Sequence, residues 1–212
     1  MIHCIGDSHS SVFSGNEEMQ PIWPERSNDI TPFFKSYRIG PATAYQLANK
    51  KEIINQIIPL VTEGDKLLFC FGEVDIRAHL LNQSIGQNRP IEDVVIECVT
   101  RYVEVIKHYK NLGISVIVWG PIASWNDSKP YLGGPSFGTN IERNEITRLF
   151  NNHLLSQVKV YNIPFVTIFH DMLNIDGTTN VDLLDDWQDC HIHLNQKAMP
   201  LIIDRFKNEG LI

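Results

Sequence analysis

The sequence predicts an α/β fold, a three-layer α/β/α sandwich around a mainly parallel, doubly wound sheet, and three patterns point to it. Apolar runs of strand length recur at residues 2–5, 67–71, 114–119 and 164–169. Three of these are nearly continuous in apolar residues, as strands covered on both faces are, whereas half-exposed strands alternate. Helical periodicity fills the stretches between them, and parallel neighbours require such crossovers.

The first run, Ile2, His3, Cys4 and Ile5, opens the sheet and leads into Gly6. Residues 10–40 follow no period although they carry Trp23, Phe33, Phe34 and Tyr37; irregular stretches of this kind form binding loops or surface elaborations. After the strand at 67–71, Ile91, Val94, Val95, Cys98, Val99, Tyr102, Ile106 and Tyr109 recur mostly at steps of three and four, one face of a helix over 91–110. Asn111, Leu112 and Gly113 mark its end. The strand at 114–119 runs into a second irregular segment, 121–138, with Trp125, Tyr131, Phe137 and the glycines Gly133, Gly134 and Gly138. Thr139 followed by Glu142 is a capping-box pattern, and Ile146, Leu149, Phe150, Leu154 and Val158 then lie on one side of a helix. The strand at 164–169 and a helix over about 195–206 complete the set. No repeat or low-complexity linker intervenes, and 212 residues suffice for one sizeable core, so 1–212 is expected to be a single domain.

The chain carries 25 acidic against 18 basic residues, a net charge of -7, with no basic cluster longer than Lys50-Lys51. A nucleic-acid footprint is therefore missing, and anionic membrane surfaces repel the chain. No apolar run approaches the roughly 20 residues of a spanning helix, and the N-terminal residues lack the basic flank and apolar stretch of a signal peptide, so a cytoplasmic location is expected. Cys4, Cys70, Cys98 and Cys190 are dispersed without a Cys-x-x-Cys pair, and the apolar surroundings of Cys70 and Cys98 suit buried thiols. Neither a Gly-x-Gly-x-x-Gly nor a Walker lysine motif is present, and no cofactor is expected.

In a parallel α/β sheet ligands bind beyond the carboxyl ends of the strands. Two of those ends are rich in polar groups: Gly6-Asp7-Ser8-His9-Ser10 after the first strand, and the run from Gly72 through Glu73, Asp75, Arg77 and His79 after the second. A serine hydroxyl becomes a nucleophile when a base takes its proton, and histidine, with a reference pKa of about 6.5, does so at neutral pH. A carboxylate then fixes the tautomer and stabilises the imidazolium.

Gly6-Asp7-Ser8-His9-Ser10 resembles the nucleophile block of the SGNH or GDSL hydrolases, which also stands just after the first strand. His193-Leu194-Asn195 resembles the family's last block, with its catalytic histidine; Gly40 resembles the second-block glycine whose N–H joins the oxyanion hole; and Gly72-Glu73-Val74-Asp75 resembles the third block. The blocks keep family order over nearly the whole chain. The resemblance implies Ser8 as nucleophile, His193 as base, a flavodoxin-like sheet and the cleavage of acyl esters. Asp7 is expected to accept backbone N–H bonds in its turn.

Two departures qualify this. Val74 stands where the third block usually has an asparagine whose amide donates to the oxyanion, and one such donor is worth on the order of 100- to 1,000-fold in rate. Arg77, ahead of His79, is expected to replace it in the acyl pocket, with an ion pair to Glu73 or Asp75 as the alternative. In the last block the usual Asp-x-x-His spacing falls on Cys190, so Asp189, one residue further back, is expected to orient His193 across a bulge. The alternatives are His191 as the base, or Asp185 or Asp186 folding back as the acid. His193 is preferred because Leu194 and Asn195 follow it as in the family and Asn195 can cap the final helix.

Asp189, Cys190, His191 and His193 include common metal ligands, but no distant Cys/His pair completes a site, and no metal is expected. The expected activity is hydrolysis of a small acyl ester, an O-acetyl group on a sugar or glycan, through an acyl-Ser8 intermediate. The sugar rests on aromatic residues in the two irregular segments and on what relatives of this motif set often do. An acyltransferase uses the same triad with an alcohol as acceptor, and a binding module that kept the fold and lost efficient catalysis is the rival that Val74 supports. The expected partner is a small-molecule or glycan ester, without nucleic acid or membrane; oligomeric state is not legible in the sequence.

Overall fold

A computed structural model describes residues 1–128, 134–185 and 191–212. Five parallel strands, β1 (Ile2–Gly6), β2 (Phe34–Arg38), β3 (Lys66–Cys70), β4 (Val116–Trp119) and β5 (Phe165–Val166), form one sheet in the order β2-β1-β3-β4-β5. The chain leaves β1 for β2 on one side and returns to β3 on the other. This flavodoxin-like order places the topological switch point between β1 and β3. Gly6 is in register with both Arg38 and Cys70, so the residues just beyond these strands share one rim.

Strand side chains alternate between two covering layers. Ile5, Leu67, Phe69, Val116 and Val118 face a core built with α1 (Lys51–Ile57), α4 (Ile91–Asn111) and α5 (Asn140–Lys159). Ile2, Cys4, Leu68, Cys70, Ile117 and Trp119 face a thinner layer made by the 3-10 helix Ser8–Ser14 and α6 (Met199–Asn208). The buried Phe206 ring anchors that layer, 5.1 Å from Phe34 and 6.2 Å from Trp119 between centroids. After β3 the chain passes through α2 (Glu73–Asp75), a π-helical segment Ile76–Leu80 and α3 (Leu81–Gln87).

Four strands lie where the sequence predicts them, although the run at 164–169 shortens to β5 because the chain turns into the 3-10 helix Phe169–Met172. β2 falls inside the stretch expected to be irregular, and α1, α2 and α3 lack a legible signal. Both hydrogen bonds of the Thr139–Glu142 capping box form, and Asn195 caps the 3-10 turn Gln196–Ala198 that leads into α6. Among the described residues no helix is long and apolar enough to cross a membrane.

Candidate active site

β1 ends at Gly6, where an added Cβ would lie 2.6 Å from the Cys70 carbonyl oxygen and 2.7 Å from Ser10 Cβ; only glycine lets the chain turn this close to β3. Asp7 caps the following 3-10 helix, its Oδ1 accepting the His9 N–H at 2.9 Å. Burial pushes the Asp7 carboxyl up to about 6, against the pull of His9. Ser8 is half-buried at the start of this helix, with Oγ 2.9 Å from His193 Nε2.

His193 is held by a short antiparallel pairing within the C-terminal loop. Leu184 bridges Leu194, the Asp185 N–H donates to the His193 carbonyl at 2.8 Å, and the Asn195 N–H donates to the Leu183 carbonyl at 3.0 Å. The Asn195 amide ties the two segments again through the Asp182 and Leu184 carbonyls. This pairing sets Asp185 beside the imidazole. Its Oδ1 accepts the His193 N–H at 3.3 Å, and Oδ2 lies 3.3 Å from Nδ1. The second contact is within ion-pair reach but lacks hydrogen-bond alignment, so among the described residues Nδ1 has no hydrogen-bond partner; catalytic bonds often tighten only when substrate binds. Burial lowers the His193 pKa, the nearby His9 lowers it further, and Asp185 opposes both, which favours a neutral imidazole able to accept a proton.

Asp189, expected from the sequence as the acid, lies outside the described residues, as do Asp186 and Cys190. The ring at Ser8 Oγ is that of His193; His191 is buried at a positive φ of 49.

The third block begins at Gly72, which must be glycine: its φ is 119, and a Cβ added there would lie 2.7 Å from Pro121 Cγ. Asp75, grouped from the sequence with the substrate-binding residues, is a buried clamp. Its Oδ2 accepts the Ala44 N–H at 2.6 Å and its Oδ1 the Tyr45 N–H at 3.0 Å, which fixes the loop that follows Gly40. Arg77 is engaged in the ion pair with Glu73, Nε to Oε1 at 2.7 Å, and its NH1 donates to the Pro135 carbonyl at 3.0 Å. His79 is exposed and lines a cleft of about 500 Å³ with Thr43, Tyr45, Gln46 and Gln83, bordered by neither Ser8 nor His193. The cleft's polar groups are largely engaged with one another, as in the Tyr45–Glu97–Arg89 chain, and the volume does not locate the chemistry.

His9 is the residue the sequence did not single out. Its Nε2 lies 2.8 Å from Glu73 Oε2, and its ring centroid is 4.7 Å from that of His193 at a tilt of 46°. Burial opposes charge on His9, yet the Glu73 carboxylate, aided by Asp7, raises its pKa. Arg77 and His9 together hold the Glu73 carboxyl well below the usual range despite burial. The first part of the segment 121–138 is also tied down. The buried Arg143 bonds Ser124 Oγ at 3.0 Å, the Trp125 carbonyl at 2.9 Å and Asp127 at 2.7 Å.

No protein-family model and no curated protein matches this sequence. Solved structures do match its backbone. A candidate acylhydrolase from Bacteroides fragilis superposes with a TM-score of 0.60 at 16% identity, over 100% of this chain and 88% of its own. An acetyl xylan esterase gives 0.56 at 13% over 99% of both chains, and a GDSL-like lipase from Bacteroides thetaiotaomicron gives 0.56 at 16% over 99% and 88%. The fold is the one these proteins share. At such identities the likeness carries the architecture alone.

Proposed function

We propose that the chain is a serine ester hydrolase in which Ser8 is the nucleophile, His193 its base and Asp185 the carboxylate that orients the base. The supporting observation is the row of three groups at the switch point: Ser8 Oγ 2.9 Å from His193 Nε2, and Asp185 Oδ2 3.3 Å from His193 Nδ1. Ser8 Oγ attacks the ester carbonyl carbon as its proton passes to His193 Nε2. The carbonyl π pair moves onto oxygen, facing the backbone N–H groups of Ser8 and Gly40. Collapse expels the alcohol, which takes the proton from His193, and water then releases the acid from acyl-Ser8 by the same steps. A small acyl group, an O-acetyl on a carbohydrate, is the substrate class proposed. The structural likeness to an acetyl xylan esterase supports it.

A fluorophosphonate probe tests the reading. Labelling of the native chain that is lost in Ser8→Ala is the expected result, and absence of labelling at any pH sinks it in favour of a non-catalytic binding module. The substrate class is checked separately, by comparing acetate release from acetylated xylan with that from p-nitrophenyl acetate.

A further inference from the structure

Val74 leaves the third block without a side-chain donor, and Arg77 is engaged by Glu73 and the Pro135 carbonyl. His9 follows the nucleophile directly. It is buried, and Glu73 draws it to the turn that begins α2, one residue from the position where the absent amide would stand. Its ring lies 4.7 Å from that of His193, whose Nε2 meets Ser8 Oγ. Glu73 occupies His9 Nε2, while Nδ1 is buried and has no hydrogen-bond partner among the described residues. We infer that His9 takes part in the reaction as an imidazolium, fixed by Glu73, that stabilises the oxyanion formed when Ser8 attacks, in place of the missing amide. This rests on Ser8 being the nucleophile.

The groups facing His9 decide its charge. Glu73 faces it from the α2 turn, Arg77 from the π-helical segment that follows, Asp7 from the end of β1 and His193 from the C-terminal loop. Burial opposes the charge, Glu73 and Asp7 favour it and prevail, and Arg77 acts against it while keeping Glu73 ionised. His193 in turn faces Ser8, Asp185, His9 and Glu73. A cationic His9 works against the imidazolium that His193 becomes during attack, and the carboxylates of Asp185 and Glu73 offset that repulsion. The pair thus divides the work. One histidine stays neutral and accepts the serine proton, while the other keeps its proton throughout and faces the developing negative charge.

The test follows kcat on p-nitrophenyl acetate and the rate of Ser8 phosphonylation by a fluorophosphonate across pH, in the native chain, His9→Gln and Glu73→Gln, with thermal midpoints alongside. A carbon-13 NMR titration of the His9 ring in Ser8→Ala completes it. The native profile is expected to have an acid limb from His193 and an alkaline limb from His9. His9→Gln lowers both plateau rates on the order of 100-fold with little change in KM, and abolishes the alkaline limb. Glu73→Gln moves that limb to lower pH. The NMR titration finds the ring still protonated above its reference pKa of about 6.5. An alkaline limb unmoved in both variants, or a rate loss equal at every pH that tracks a lowered midpoint, marks a merely structural role and overturns the inference. So does a ring that loses its proton below that reference value, a measurement that needs no variant of His9 to fold. A native chain labelled at Ser8 with no alkaline limb ends this inference alone; one that is never labelled ends the hydrolase reading with it.

Discussion

Two histidine–carboxylate pairs stand side by side on the rim, and they are tuned in opposite directions. His9 and Glu73 meet at 2.8 Å, deep in the molecule, with Arg77 on the far carboxylate oxygen. His193 and Asp185 meet at 3.3 Å without good alignment, and His193 turns its other nitrogen to Ser8. Burial opposes charge on both rings. A close, well-ionised carboxylate overcomes that penalty for His9 and a looser contact does not for His193. Residue type therefore does not assign a role here; the distance to the carboxylate, and what holds that carboxylate ionised, does.

The largest expected effect breaks the comparison outright. In His193→Ala the Ser8 proton has no acceptor, and turnover should fall by on the order of 10⁵- to 10⁶-fold, with Ser8→Ala similar and the double variant little worse, because the groups act as a unit. Steady-state hydrolysis of p-nitrophenyl acetate measures it. Activity kept in His193→Ala but lost in His191→Ala would transfer the base to the neighbouring ring.

Asp185→Asn should be less severe, lowering kcat by about 10²- to 10⁴-fold at neutral pH through loss of tautomer control, with the fold retained. Asp189→Asn made in parallel sharpens the assignment: a large loss there, with Asp185→Asn near normal, moves the orienting role to Asp189. The acid limb of the native kcat/KM profile should lie below pH 6.5, since the His193 pKa is lowered. Removing the positive neighbour in His9→Gln should raise that limb, because one of the groups that disfavours a proton on His193 is gone.

What the sequence revealed of this site follows chain proximity. Ser8 and His193 are legible because each sits in a local block, and β1, which presents Ser8, is a short apolar run. β2 is not legible because it is an edge strand whose Lys35 is exposed and whose Ser36 and Arg38 break any apolar run, so nothing separates it from the loop around it. Asp185 reaches His193 through the pairing of Leu184 with Leu194, a tertiary contact that Asp-x-x-His spacing cannot express. His9 shares that difficulty: its partner Glu73 is 64 residues away, and only the switch-point topology brings the two ends together. The one local signal was the i, i+4 spacing of Glu73 and Arg77, which marks an ion pair but does not point to His9.

The smallest expected effect comes from a third histidine–carboxylate pair, at the opposite end of β1. His3 Nε2 lies 3.3 Å from Asp65 Oδ2, its Nδ1 is 3.0 Å from the Tyr37 hydroxyl, and Asp65 also takes the N-terminal ammonium at 2.8 Å. Here again burial lowers the histidine pKa, against the pull of Asp65. With the folded-state value below the unfolded one, the unfolded chain binds the extra proton as pH drops below about 6.5, so this group lowers stability on the acid side and is silent above it. His3→Gln should cost about 1 kcal/mol at pH 8 through its lost hydrogen bonds. That difference should narrow at pH 5, where the native chain carries the penalty of keeping His3 neutral and the variant does not. Turnover should be unchanged at either pH, because the pair stands at the amino end of the strand whose carboxyl end holds Ser8. Thermal midpoints and kcat at the two pH values check this. A kcat lowered together with the midpoint would show that the tuning at the rim depends on packing along the whole strand and not on the rim contacts alone.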